Sequence, residues 1–216
     1  MGRQEKTIRI LEAALRTFAR YGFKKTTLED IAGELGMTKG NLYLYAKDKR
    51  DLYERSVAHA FREWQERVAE DMKGKKDVVV RFRVMCVKAY AYLSLNEDLQ
   101  SIVLRDPTIF TLSPREGRFY SVNVAAVEMI KQVLEQGIRE KRFRQVDVES
   151  MAEFLYSIYI MFIIRKYVKS EGRPVEAIFE AAVDLMINGL LCRDGLSRPT
   201  ESLLVSTSGA ASPERR

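Results

Sequence analysis

The sequence predicts an all-α fold of about nine helices, and three observations predict it. Apolar residues recur at i, i+3 and i+4 along most of the chain. No convincing run of alternating strand residues or hairpin turn dipeptide interrupts them. Hydrophobic residues make up 46% of the 216, enough for a buried core, and a charged fraction of 31% belongs with a globular chain.

Each element has its own signals. Ile8, Leu11, Ala14, Leu15 and Phe18 form an apolar stripe on a first helix, which Gly22 stops. A second helix reaches about Leu35, capped either by Thr27 with Asp30 or by Thr26 with Glu29. Gly36 marks a turn, and Thr38 caps a short third helix running to about Tyr45. Lys47, Asp48 and Lys49 make a polar connection to a fourth helix, opened by Asp51 and ended after Met72 by Gly74, Lys75 and Lys76. Asp77 caps a fifth helix over 78–95, and a short one follows over 98–104. Pro107, Pro114 and Gly117 make 106–117 a loop, expected to be mobile. Further helices are expected over 118–141, 148–169 and 174–192. The chain thus divides into a head over 1–50, a helical body over 51–193 and a tail over 194–216. The tail is rich in Ser, Thr, Pro, Gly and charge and has too little apolar surface to order itself.

Charge is placed unevenly. The net charge is +6, and residues 1–56 hold 12 basic and 8 acidic side chains, so a quarter of the chain carries two thirds of the excess. Cys86 and Cys192 are the only cysteines, too few for a disulfide scaffold or a four-thiolate zinc site. The N-terminus has no uninterrupted apolar stretch, and the most apolar segment, 154–164, is too short to cross a bilayer. A cytoplasmic protein without membrane contact is expected.

The sharpest functional signal lies over 28–45. A helix-turn-helix needs a small residue in its first helix, a turn residue tolerating positive φ and apolar residues that lock the crossing. Ala32, Gly36 and Leu42 meet those needs, with Ile31, Leu35, Met37 and Tyr45 in register. The short helix from Lys39 is then a recognition helix for the major groove. Lys39 suits guanine O6 and N7 or a phosphate, Gly40 permits close backbone approach, and Leu44 suits a thymine methyl group. Thr27, Tyr43 and Lys49 are placed for phosphates, and Thr38 and Asn41 complete the DNA-facing set.

These residues resemble the TetR family of bacterial transcription regulators. The resemblance rests on Ile10, Leu11, Ala13, Ala14, Phe18 and Gly22, on the run from Thr26 to Ala32, and on the run from Gly36 to Tyr45 with Lys47, Asp48 and Lys49 following. Two positions depart from the family: Ala46, where Phe is common, and Leu44, where His or another polar residue is frequent. The resemblance implies a homodimer whose C-terminal region binds a small effector and releases operator DNA, most simply as a repressor. It places dimerisation on the last two helices, with Phe154, Leu155, Ile158, Phe162 and Arg165 facing Phe179, Ala182, Val183, Met186 and Leu190. Which of these serve the interface and which the chain's own core is left open.

The effector pocket is then expected among the helices over 78–95, 118–141 and 148–169, with 107–114 as its gate. Met85, Tyr90, Phe110, Phe119, Tyr120, Tyr156 and Tyr159 are the candidate lining, with Tyr92 and Met161 beside them, and suit an apolar or aromatic molecule. Arg81, Arg83, Lys88, Arg105 and Arg118 are candidates for an acidic head group such as that of a fatty acyl thioester. The alternative is a constitutive DNA-binding regulator controlled by a protein partner. His59 is the only histidine and sits near neither a nucleophile elbow nor a phosphate loop, so no catalytic set, cofactor or metal site is expected.

Overall fold

The computed structural model describes residues 2–169 and 175–192. Among them are nine α-helices and no strand. The expected disordered tail over 194–216 lies outside the described residues.

Helix α1 (Arg3–Lys25) buries Ile10, Leu11, Ala14, Leu15 and Phe18, while Ile8, expected on the same stripe, stays partly exposed near the helix start. Gly22 breaks the helical path with φ of +81°, and the chain makes one more turn before Thr26 closes it through Gly22 O. Helix α2 (Leu28–Glu34) is capped by Thr27: its hydroxyl accepts from the Asp30 amide while Asp30 accepts from the Thr27 amide. The reciprocal cap satisfies two amides that a helix start would leave unpaired. Gly36, at φ of +63°, turns the chain into α3 (Lys39–Leu42).

Helix α3 is shorter than the spacing predicts. After Leu42 the chain tightens, with the Leu44 amide donating to Asn41 O and the Tyr45 amide to Leu42 O, three residues back rather than four. Helix α4 (Lys49–Met72) begins two residues ahead of Asp51, because the Asp48 side chain caps the Asp51 amide at 2.8 Å. Helices α5 (Val78–Leu95) and α6 (Glu97–Arg105) start at Asp77 and Asn96, whose side chains accept from the first-turn amides.

After a 3₁₀ turn (Pro107–Ile109) come α7 (Tyr120–Arg139) and α8 (Val148–Ile163), with α8 running on into a π-helical turn (Ile164–Val168). Helix α9 (Val175–Leu190) closes the chain. The α7–α8 connection is tied to the end of α9 by Arg144 N to Leu190 O at 2.8 Å and Cys192 N to Arg142 O at 3.0 Å.

One core runs through head and body, because α1 packs along both α4 and α6. The apolar faces of α8 and α9 divide. Leu155, Phe162, Phe179, Val183 and Leu190 are buried within the chain, whereas Phe154 and Met161 on α8 and Ile178 and Leu185 on α9 point outward. Each exposed pair is spaced by seven residues, two helical turns, and so makes a stripe. No helix of the described residues is long and apolar enough to cross a membrane.

Candidate nucleic-acid interface and effector cavity

The turn at Gly36 presents α3 on the surface of the head. Thr27, Thr38, Lys39, Gly40, Asn41, Tyr43 and Leu44 are all exposed. Leu44 is 71% exposed, unusual for a leucine on an ordered turn, while buried Leu42 and Ala46 anchor the segment from beneath. Ala46 is buried, and beside it Tyr45 is half-buried with the Lys6 ammonium 5.7 Å from its ring centroid. The Thr38 hydroxyl accepts from the Asn41 amide at 3.3 Å.

Lys39 reaches back to Glu29 of α2 at 2.7 Å, and hydrogen bonding to that carboxylate raises the lysine's pKa. Both groups are exposed, so the pair is weak and readily exchanged for another anion. Lys49 sits differently. Its ammonium donates to Thr26 O at 2.9 Å and Lys24 O at 3.4 Å and lies 4.7 Å from the Phe23 ring centroid. It ties the α1–α2 connection to the start of α4, so a phosphate would have to share an amine already in use.

The body holds an apolar cavity with about 120 Å³ of free interior, walled by α4, α5, α7, α8, α9 and Phe110. Met85, Phe110, Tyr156 and Tyr159 of the expected lining meet there, with Phe61, Trp64, Met129 and Ile130. Tyr90, Phe119 and Tyr120 do not line it. Tyr90 turns away to stack on Phe179 at 4.1 Å, Phe119 packs edge-on against Phe61 behind the wall, and Tyr120, at the exposed start of α7, is half in solvent. Tyr92 stacks on the outside of Trp64, and Met161 faces outward on α8.

Polar groups in the wall are few. The Tyr159 phenol and the Trp64 indole both donate to Ala89 O, and the Gln65 amide donates to Val122 O. The Tyr156 hydroxyl is buried and has no hydrogen-bond partner among the described residues. Burial pushes the Cys86 thiol up to about 12, so it lines the cavity as a neutral group.

Phe110 connects the cavity to the head. Its ring stacks on Phe61 of α4 at 5.5 Å, four residues beyond the Asp106 that ends α6. The Asp106 carboxylate accepts from the Tyr53 phenol at 3.0 Å and from Arg118 at 2.8 Å. Arg105 donates to Arg20 O of α1 and lies over Gly22. The loop that carries Phe110, expected to be mobile, is tied to α8 by Ser157 to Leu112 O and by Arg115 to Glu149 and Glu153. The basic residues considered for an acidic head group are all engaged: Arg81 with Gln136, Arg83 with Asp184, Lys88 with Asp71, Arg105 with Arg20 O and Arg118 with Asp106.

A family model described as bacterial regulatory proteins, tetR family, matches residues 10–55, the segment that builds this head. Residues 10–55 therefore carry the DNA-binding head of the TetR family. A fatty acid metabolism regulator protein of Bacillus subtilis is 18% identical over 87% of this chain and 97% of its own length. The transcriptional repressor KstR2 of Rhodococcus jostii is 22% identical over 88% and 93%. The structure of the regulator FadR from Bacillus subtilis in complex with stearoyl-CoA superposes with a TM-score of 0.67, at 18% identity over 84% of this chain and 98% of that one. With a head of this family and relatives along its length that are regulators, the chain is a DNA-binding regulator of transcription and not an enzyme.

Sequence reasoning missed Glu29 as the partner of Lys39, and Gln65 and Asn123 as the polar side of the cavity. Helical spacing identifies a buried face, and a cavity lies where two such faces fail to meet.

Proposed function

We propose that the chain is a dimeric repressor whose head, residues 1–50, binds a roughly palindromic operator and lets go when an apolar molecule fills the body's cavity. Lys39 reads base edges and leaves Glu29 to do so. Gly40 lets the backbone approach, Leu44 covers a thymine methyl group, and Thr27, Thr38, Asn41 and Tyr43 fix the register on phosphates. The exposed stripes of Phe154 and Met161 on α8 and of Ile178 and Leu185 on α9 are the dimer face, because paired apolar stripes at two-turn spacing are suited to an intersubunit helix bundle.

The observation that carries this reading is the apolar cavity with Phe110 in its wall. A ligand that enters meets Phe110 where it stacks on Phe61, and Phe110 is four residues from the Asp106–Tyr53 contact that holds α6 to α4. Such a ligand shifts the head only through its different affinity for the two arrangements. The narrow apolar interior favours a slender chain, and the relatives named for fatty acid metabolism and bound to stearoyl-CoA make a fatty acyl thioester the first candidate. Its head group would have to displace the carboxylates that now hold Arg83, Lys88 or Arg118.

The test joins native mass spectrometry of the purified protein to fluorescence anisotropy on an operator selected from random DNA. A dimer that binds one site, loses it on addition of stearoyl-CoA and keeps it with free coenzyme A supports the reading. Binding indifferent to every acyl chain offered would overturn the effector half.

A further inference from the structure

Glu12 of α1 and His59 and Glu63 of α4 are 47 and 51 positions apart in sequence, yet they form one cluster. One ligand-competent atom from each lies within 4.8 Å of the others. The three are half-buried at the seam between the head's first helix and the helix that enters the body. His59 Nε2 is buried and has no hydrogen-bond partner among the described residues; the nearest Glu63 oxygen stands 3.8 Å away, too far for a hydrogen bond. A buried ring nitrogen between two carboxylates, bonded to neither, is an arrangement that folding alone does not call for.

We propose that this cluster binds a divalent first-row transition cation such as Zn²⁺, clamping α1 to α4. Three ligands around Zn²⁺ at roughly 2.0–2.2 Å stand about 3.4 Å apart in a tetrahedron, so the present spread closes by rotation of the two flexible glutamate side chains. Two carboxylates neutralise the cation, and the imidazole selects a transition metal over Ca²⁺, which takes oxygen ligands. His59 and Glu63 stand one turn apart on α4 and share a face. Glu12 supplies the third ligand from the head, and a water completes the coordination. Bound cation therefore fixes the angle at which α1 leaves α4, and with it the placement of α3. Unlike the apolar cavity, the site is charged and lies at the head–body junction, so it is independent of the effector.

The test uses the full chain, free of tags, stripped with a chelator and carrying Cys192→Ser, which removes an exposed thiol that would compete for metal. Zn²⁺ is titrated by calorimetry and thermal unfolding, and Co²⁺ by its visible absorption. Expected are one Zn²⁺ per chain, a melting temperature that rises with Zn²⁺, and affinity at least about tenfold weaker in Glu12→Gln and in His59→Gln. If metal-free His59→Gln unfolds, Glu63→Gln, altered at a side chain more exposed than His59, serves in its place with the same expectation. Substoichiometric Zn²⁺, or binding that His59→Gln leaves intact, overturns the site. If Glu12→Gln changes neither affinity nor thermal gain, any cation is held by α4 alone and the clamp is overturned.

Discussion

The Tyr53 phenol donates to the Asp106 carboxylate across 3.0 Å, joining α4 just below the head to the end of α6. Tyr53 also packs edge-on against Phe18 of α1 and tilted against Phe23, so one side chain touches the head, the helix that enters the body and the loop that leads to the cavity. Tyr53→Phe keeps those ring contacts and deletes only the hydroxyl. Urea unfolding should show a loss of about 1 kcal/mol. If the relay runs through Asp106, the variant binds operator as the parent does while its release by the effector needs more ligand.

The same pair sets a pH window. Burial pushes the Asp106 carboxyl up, but hydrogen bonds from Thr108, Arg118 and Tyr53 and the Arg118 charge outweigh it, and its pKa is lowered. A lowered folded-state pKa adds stability above the ordinary carboxylate value near 4, lost as pH falls through the folded value. Tyr53 is opposite: burial, then the Asp106 charge, raise its phenol. Its contribution is complete below the ordinary value near 10 and fades as pH rises beyond it. Stability measured by urea unfolding should decline below about pH 4 and above about pH 10, and Tyr53→Phe should flatten the alkaline limb. An alkaline limb unchanged in the variant would remove Tyr53 from this account.

How far the sequence reads into the structure depends on whether a feature is local. The Thr27 and Asp77 caps, the Gly36 turn and the buried faces of α1 and α4 are set by spacings under five residues, and their residues show them directly. Helix α3 ends early because a tight turn after Leu42 costs nothing that hydrophobic periodicity records. Tyr90 and Tyr156 are both tyrosines at buried helical positions. Only the neighbouring helix decides that one stacks on Phe179 and the other faces the cavity. The Glu12, His59 and Glu63 cluster was hidden for the same reason, since the third ligand comes from another helix.

Gly137 in α7 shows how closely two elements approach. Any side chain there would run into the Phe143 ring, which is fully buried against Phe82. Gly137→Ala gains helix propensity worth about 1 kcal/mol, but the ring must leave its place. The expected balance is a net destabilisation of roughly 1–3 kcal/mol. Adding Phe143→Leu, which trims the clashing ring, should cost less in the Gly137→Ala background than in the parent. A double-mutant cycle by urea unfolding measures that difference, and additive losses would mean that the two residues do not meet as described.

Lys39 and Lys49 are both basic residues of the head, and the structure separates what their loss should do. Lys39 has a single exposed ion pair with Glu29, so Lys39→Ala should leave stability within about 0.5 kcal/mol. Its effect should fall on which operator bases are preferred. Lys49 holds two backbone carbonyls and covers Phe23, so Lys49→Met, which keeps the aliphatic stem, should lose roughly 1–2 kcal/mol. Its weaker DNA binding should be uniform across sequences, because what it loses is the tie between the α1–α2 connection and the start of α4 and, at most, a shared phosphate contact. Urea unfolding and binding to an operator library distinguish the two variants. If Lys49→Met unfolds like the parent yet binds all sequences more weakly with a shallower salt dependence, its amine serves the phosphate backbone and the internal bonds to Thr26 and Lys24 are dispensable.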